Sequence, residues 1–171
     1  MLRFYFAVAS TSFRRQLVYR WANLSGLLTN IFFGSIFSFI IIALYRARPS
    51  VAGYNVQDAL RYTWLIQALI MVALPFSFYD LILTIRSGDV VTDLSKPYDL
   101  YWYWFSREMG RNCYYLFFRA LPIYLAGMLL FGIGFSGDLR SYLAFPFVLF
   151  LGMMLGIAYR YWYNLIAFWI V

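Results

Sequence analysis

Residues that carry out catalysis are scarce in this chain of 171 residues. It has no histidine, which excludes histidine general bases, histidine-ligated metals and histidine-ligated haem. Its one cysteine, Cys113, can form neither an internal disulfide nor a cluster for zinc or iron–sulfur. No phosphate-loop motif is present, and the Gly-x-Gly-x-x-Gly match at 132–137 follows an apolar run rather than a strand. We therefore predict a chain that is not an enzyme and that uses no cofactor or metal.

The two charges with the greatest chemical interest are Asp80 and Arg119, because both lie inside apolar runs. Counted from the nearest flanking arginines at 1.5 Å per residue, each sits roughly 9–12 Å into its run. A charge at the centre of a membrane helix costs about 2.5–3.5 kcal/mol, so pairing or snorkelling is expected. The sequence leaves both outcomes open: an ion pair between Asp80 and Arg119, or separate snorkelling to the headgroups.

The composition requires a membrane around these residues. The chain is 64% hydrophobic and 12% charged, whereas soluble domains are about 45–50% apolar and about 25% charged. These values exclude a soluble globular enzyme, a disordered tail and a disulfide-rich secreted module. Backbone groups in lipid must be satisfied internally, so we predict an all-α, polytopic membrane protein. The predicted transmembrane segments are 24–45, 62–85, 112–135 and 141–159.

The two ends of the chain have different predictions. Residues 1–22 should form an amphipathic helix at the membrane interface, with Phe6, Phe13, Leu17 and Trp21 near one face. Residues 161–171 are uncharged but too short to span alone. They extend the fourth helix, lie at the interface, or begin a further span. Because the sequence ends inside an apolar run, we expect a truncated chain or one that a partner completes.

The basic residues predict the orientation. The net charge of +7 arises from residues between apolar runs, which favours orientation in a bilayer over binding to nucleic acid. Nine Lys and Arg residues fall on the predicted N-terminal side and four on the other. The N-terminus should therefore be cytoplasmic.

The most polar stretch, within 86–111, is predicted to lie in the cytoplasm. Ser87 is a suitable cap for a short helix with Asp89 in its first turn, and Pro97 should end that helix. Asp99 should cap the next helix, which leads into the third span. The segment is either a docking surface or an ordinary solvated loop. A second motif, Gly152 and Gly156 in a Gly-x-x-x-Gly pattern, permits either helix dimerisation or ordinary packing within the chain.

The residues of this polar stretch resemble the permeases of ABC-2-type transporters, and in particular the six-span branch often labelled multidrug or viologen exporters. The matching motifs are Ile85-Arg86-Ser87-Gly88-Asp89-Val90, Asp93-Leu94, Lys96-Pro97 and Asp99-Leu100-Tyr101-Trp102-Tyr103-Trp104. Further similar motifs are Phe13-Arg14-Arg15-Gln16-Leu17, Gly53-Tyr54, Gln57-Asp58-Ala59 and Tyr62-Thr63-Trp64. The resemblance covers the whole chain, except that the last two of six spans are lacking.

This resemblance implies a permease subunit that works with a second permease copy or homologue. A cytoplasmic ATPase would hydrolyse ATP and drive export of a small amphipathic or hydrophobic compound. The ATPase would dock on the coupling segment, whose candidate residues are Arg86, Ser87, Gly88, Asp89, Asp93, Lys96, Pro97 and Asp99. Two alternatives stay open: the substrate-capture subunit of a vitamin-uptake system, and a membrane scaffold that transports nothing.

Overall fold

The computed structural model describes residues 1–48, 50–73, 80–134 and 138–170. The helices are α1 (Leu2–Val18), α2 (Arg20–Ala47), α3 (Val56–Ala73), α4 (Asp80–Arg86), α5 (Val90–Leu94), α6 (Leu100–Tyr115), α7 (Leu121–Phe131), α8 (Leu139–Leu165) and α9 (Ala167–Ile170). A π-helical turn, Leu116–Ala120, joins α6 to α7. The predicted all-α, polytopic membrane protein is confirmed.

Three helical stretches in the described part of the chain are long and apolar enough to cross a membrane: Arg20–Ala47, Leu100–Phe131 and Leu139–Ile170. Of the predicted second span, 62–85, the structure describes 62–73 in α3 and 80–85 in α4. The sequence predicts a helix kink at Pro75, but residues 74–79 lie outside the described residues. The predicted third span begins earlier than residue 112, because the aromatic α6 is continuous with it.

The last residues extend the fourth helix, one of the three outcomes left open by the sequence. Helix α8 continues to Leu165, and after Ile166 the short α9 follows. Ala167 is buried against Leu81 and Ile85 of α4. The end of the described chain therefore packs beside the segment that precedes α5.

The core of the spanning helices is built around Trp64 of α3, which is fully buried. Its indole N–H donates to the Ser38 hydroxyl of α2 at 2.9 Å. A Cβ at Gly127 of α7 would overlap the indole ring, and one at Gly34 of α2 would lie 3.2 Å from it. Small residues thus let three helices close around one large aromatic ring, as is usual where lipid gives no hydrophobic drive for association.

A small hairpin connects α2 to α3. Ser50 pairs with Asn55 and Val51 with Tyr54 in antiparallel register. The turn residues Ala52 and Gly53 both have positive φ, 51° and 84°, as tight hairpins require. The all-α prediction did not include this hairpin, which is confined to the connecting loop.

Helix α1 lies along α6. A Cβ added at Gly110 of α6 would overlap the backbone carbonyl of Ala9. Ser12 donates its hydroxyl to the Arg107 carbonyl at 2.7 Å. Of the predicted apolar stripe, Phe13 packs on α6 at 5.8 Å from the ring of Tyr114. The other three members, Phe6, Leu17 and Trp21, are 77%, 44% and 73% exposed.

The two ends of the molecule are distinct. The Phe4 ring of α1 stacks on Tyr98 at 5.2 Å, which places the N-terminal helix and the coupling segment at one end. At the other end, Arg61 Nε donates to the Gly134 carbonyl at 2.9 Å, beside the hairpin and the start of α8.

Candidate functional site

The coupling segment stands on an apolar platform. Val90 of α5 is 4% exposed and packs in one cluster with Leu81 and Ile85 of α4, Trp104 of α6 and Ala167 of α9. Val90 is thus fixed by buried residues of three neighbouring helices. This apolar platform holds the short helix in a defined position at the surface.

Helix α5 also carries two exposed apolar residues. Val91 is 67% exposed and Leu94 is 58% exposed. They are three positions apart, so they share one helix face. Sequence analysis missed both as site residues. The available signal was an i, i+3 apolar pair in the most polar stretch of the chain.

The N-terminal end of α5 differs from the prediction. The helix begins at Val90 with Asp89 as the N-cap residue, and no side chain makes a capping hydrogen bond. Ser87, the predicted cap, instead donates to Asp89 Oδ2 at 2.7 Å in the preceding turn. Gly88 between them has a φ of +80°, a conformation that L side chains rarely adopt. The left-handed turn at Gly88 moves the helix start two residues past Ser87.

Hydrogen bonds between three polar side chains stabilise the C-terminal side of the coupling segment. Lys96 Nζ donates to Asp93 Oδ1 at 3.0 Å, and the Tyr98 hydroxyl donates to the same oxygen at 3.1 Å. The hydrogen bond to Asp93 raises the pKa of Lys96 above its usual value. Partial burial, and then the contact with Asp93, raise the pKa of Tyr98. Both groups therefore stay protonated at neutral pH, and both remain donors to Asp93.

Asp99 caps α6 as predicted. Its carboxylate accepts the Trp102 backbone N–H at 3.0 Å. Helix α5 ends at Leu94, before the predicted stop at Pro97. The remaining coupling residues, Arg86, Ser87, Gly88, Asp89, Lys96 and Pro97, are exposed, and Asp93 is half-buried.

Behind the platform, a network of charges links three helices. Arg107 Nη2 of α6 lies 2.7 Å from Asp80 Oδ2 of α4, and Arg111 Nη1 lies 3.7 Å from the same oxygen. Arg111 also contacts Glu108. Arg160 of α8 places its Nε 3.4 Å from Glu108 Oε2. We call these five residues the charge network.

Most of the charge network is removed from solvent. Glu108, Arg111 and Arg160 are 8%, 6% and 2% exposed. Asn164, one turn beyond Arg160, accepts the Ile82 backbone N–H of α4 at 3.2 Å. Because buried ion pairs are costly to separate, α4, α6 and α8 are joined tightly at the base of the coupling segment.

The charge network corrects one prediction. Asp80 pairs with Arg107 and Arg111, and not with Arg119, which lies against Gly26 of α2. Arg119 lies 5.6 Å from the ring centroid of Tyr115. A residue count predicts how far along its helix Arg119 lies, but it does not predict the direction in which the side chain points around the helix axis.

The Gly-x-x-x-Gly pattern is not a close contact within the chain at its first position. A Cβ at Gly152 would meet nothing within 4 Å, and Gly156 is half-buried. Ordinary packing within the chain therefore does not explain Gly152. The other glycine match, at 132–137, begins with Gly132 in a left-handed C-cap, and residues 135–137 lie outside the described residues.

Comparison with known proteins identifies the family of the chain. The family described as "ABC-2 family transporter protein" matches residues 30–171, which is most of the chain. No curated protein and no solved structure gives a match. The family's members are permease components of ABC transporters, which work with an ABC ATPase. The chain therefore belongs to the ABC-2 family of transporter membrane proteins.

Proposed function

We propose that the chain is an export permease in which the exposed face of α5 docks on a cytoplasmic ATPase. A second permease copy or homologue completes the membrane part, in a bacterial inner membrane with the N-terminus in the cytoplasm. The observation that carries the proposal is the pair Val91 and Leu94, which are exposed on a short helix whose first residue, Val90, is buried in the platform. Central apolar anchors surrounded by polar groups are typical of protein interfaces.

The surroundings of this pair suit a partner protein. Asp89 and Lys96 flank it with charges of both signs, and Asp93 is held by Lys96 and Tyr98. Charges at an interface rim orient the partner, whereas buried apolar anchors supply most of the affinity.

The charge network supports a mechanical role. A displacement of α5 would be transmitted to α4 through the packing of Val90. Helix α4 is in turn joined to α6 by the ion pair of Asp80 and to α8 by the hydrogen bond to Asn164. Closure of two ATPases would thus move spanning helices as a unit. Such a step is a shift between two conformations that nucleotide binding drives.

The proposed cargo class rests on a groove in the membrane region. A cavity of about 440 Å³ lies among α3, the π-helical turn, α7 and the start of α8. Its lining includes the apolar Leu65 and Leu116, the aromatic Phe145 and the amphipathic Tyr62. This volume falls within the range of about 300–1,000 Å³ typical of sites for small molecules. A hydrophobic or amphipathic compound fits such a lining.

The docking proposal is tested by co-expressing the tagged chain with its partner ABC ATPase and purifying the two together. Val91→Asp places a charge in the centre of the proposed contact. It should lower the amount of co-purified ATPase about tenfold, as expected for an interface hot spot. The matched control is Val51→Asp, which changes an exposed valine at the opposite end of the molecule.

Val51→Asp should leave co-purification unchanged. In inverted vesicles, Val91→Asp should also abolish ATP-dependent uptake of an amphipathic dye that the unaltered complex transports. Full ATPase recovery with Val91→Asp would contradict docking through α5. Docking without any transported compound would instead favour a scaffold.

A further inference from the structure

Arg119 is a buried cation with no acidic partner in the described part of the chain. It is 7% exposed and lies within a spanning helix. Its Nε is buried without a hydrogen bond. Among the described residues, no carboxylate lies within ion-pair distance of its guanidinium, which lies 5.6 Å from the ring centroid of Tyr115. An anion bound beside the guanidinium would stabilise a charge in this position.

The acidic residues of the sequence are all engaged elsewhere. There are seven, and each has a contact other than Arg119. They are Asp58 with Arg61, Asp80 with Arg107, Asp89 with Ser87, Asp93 with Lys96, Asp99 with Trp102 N–H, Glu108 with Arg160, and Asp138 with Arg140 N–H.

The guanidinium has a defined seat on α2. A Cβ added at Gly26 would overlap Arg119 Nη2 and lie 3.0 Å from its Cζ, so the glycine makes room for the charge. Gly26 is six residues after Arg20, which places the seat about 9 Å from the start of α2. With the start of α2 at the membrane surface, that distance corresponds to the boundary between headgroups and acyl chains.

Polar groups surround the corner between α1 and α2 at this level. Asn23 Nδ2 donates to the Gln16 carbonyl at 3.0 Å. The Tyr115 hydroxyl donates to Gln16 Oε1 at 3.5 Å. Exposed apolar side chains adjoin the seat in sequence: Leu28 is 57% exposed and Phe118 is 48% exposed. The site thus combines a cation, a polar corner and surface suited to acyl chains.

We propose that Arg119 binds the phosphodiester of a phospholipid from the leaflet at the α1 end of the molecule. A phosphodiester supplies one negative charge and two oxygens that match the planar fork of a guanidinium. Its acyl chains lie along the exposed apolar residues beside the seat. Bound there, the lipid would hold α1 and α2 at a fixed angle.

Native mass spectrometry of the full chain in detergent tests this site. The delipidated protein is titrated with phosphatidylglycerol and, separately, with a diacylglycerol of the same acyl chains. The unaltered chain should retain phosphatidylglycerol and not the diacylglycerol. Arg119→Gln should weaken retention about tenfold, as expected for loss of a charge-assisted contact. The matched control Arg140→Gln, an exposed arginine at the opposite end, should bind as the unaltered chain does.

A second variant covers the case in which Arg119→Gln does not fold, and a competitor distinguishes binding of a lipid from binding of free phosphate. Gly26→Ala keeps every charge but displaces the guanidinium, so it should also weaken retention. It decides the question if Arg119→Gln does not fold. Inorganic phosphate should fail to compete, because the acyl chains supply much of the affinity. Unchanged retention in Gly26→Ala or a folded Arg119→Gln, equal binding of diacylglycerol, or full competition by phosphate would overturn the proposal.

Discussion

The carboxylate of Glu108 forms ion pairs with arginines on two helices. It contacts Arg111 on its own helix and Arg160 on α8, and all three side chains are buried. A buried ion pair adds little stability over apolar packing, but removal of one partner leaves an uncompensated charge. Glu108 therefore adds little net stability, but its removal should lower the free energy of unfolding strongly.

We expect Glu108→Gln to destabilise the protein by about 3–5 kcal/mol, because two buried guanidinium groups lose their shared carboxylate. The thermal unfolding midpoint in detergent, followed by tryptophan fluorescence, measures the effect. The control Asp58→Asn affects the half-exposed pair with Arg61, whose loss should cost less than about 1 kcal/mol. Equal midpoints for the two variants would show that the charge network does not hold the helices together.

At the scale of elements, α1 illustrates what sequence patterns cannot show. The predicted apolar stripe spans two helices, because α1 ends at Val18 and Trp21 belongs to α2. Phe6 and Trp21 are exposed, while Ala9 and Ser12 contact α6. In a membrane, an apolar face needs no protein partner, since lipid covers it equally well. The face of α1 that packs on α6 is then the one with small residues, and the periodicity of apolar residues does not identify that face.

The contact between α1 and α6 depends on the absence of a side chain at one position. Gly110→Ala would place a methyl group on the Ala9 backbone, which cannot move aside as a flexible side chain does. We expect a loss of about 1–3 kcal/mol, typical of overpacking, and faster hydrogen exchange across Leu2–Val18. The matched control is Gly152→Ala, where a methyl group meets open space and exchange should not change.

Protection of α1 in Gly110→Ala equal to that in the unaltered chain would mean that the close approach is not required. Faster exchange in both variants would mean that alanine acts through a general loss of stability. Only a difference between the two identifies the helix contact itself.

At the scale of the whole molecule, the class of fold and the family could both be predicted from the sequence. Apolar runs were enough for the class of fold, because lipid constrains helix length strongly, whereas the family was predicted from the resemblance of the motifs around 85–104. The partner of Asp80 could not be predicted, since depth along a helix does not fix direction around it. Val91 and Leu94 were missed because their exposure depends on Val90 packing against α4, which only the fold reveals.

The most direct test of the account is cross-linking between the permease and its ATPase. Cys113 is replaced by serine, and a new cysteine is placed either at Val91 or at Tyr54, which is 63% exposed at the opposite end. A short bifunctional thiol reagent is applied to the assembled complex in native membranes. We predict that Val91→Cys is joined to the ATPase and Tyr54→Cys is not. Cross-linking through Tyr54→Cys alone would reverse the orientation and contradict docking through α5.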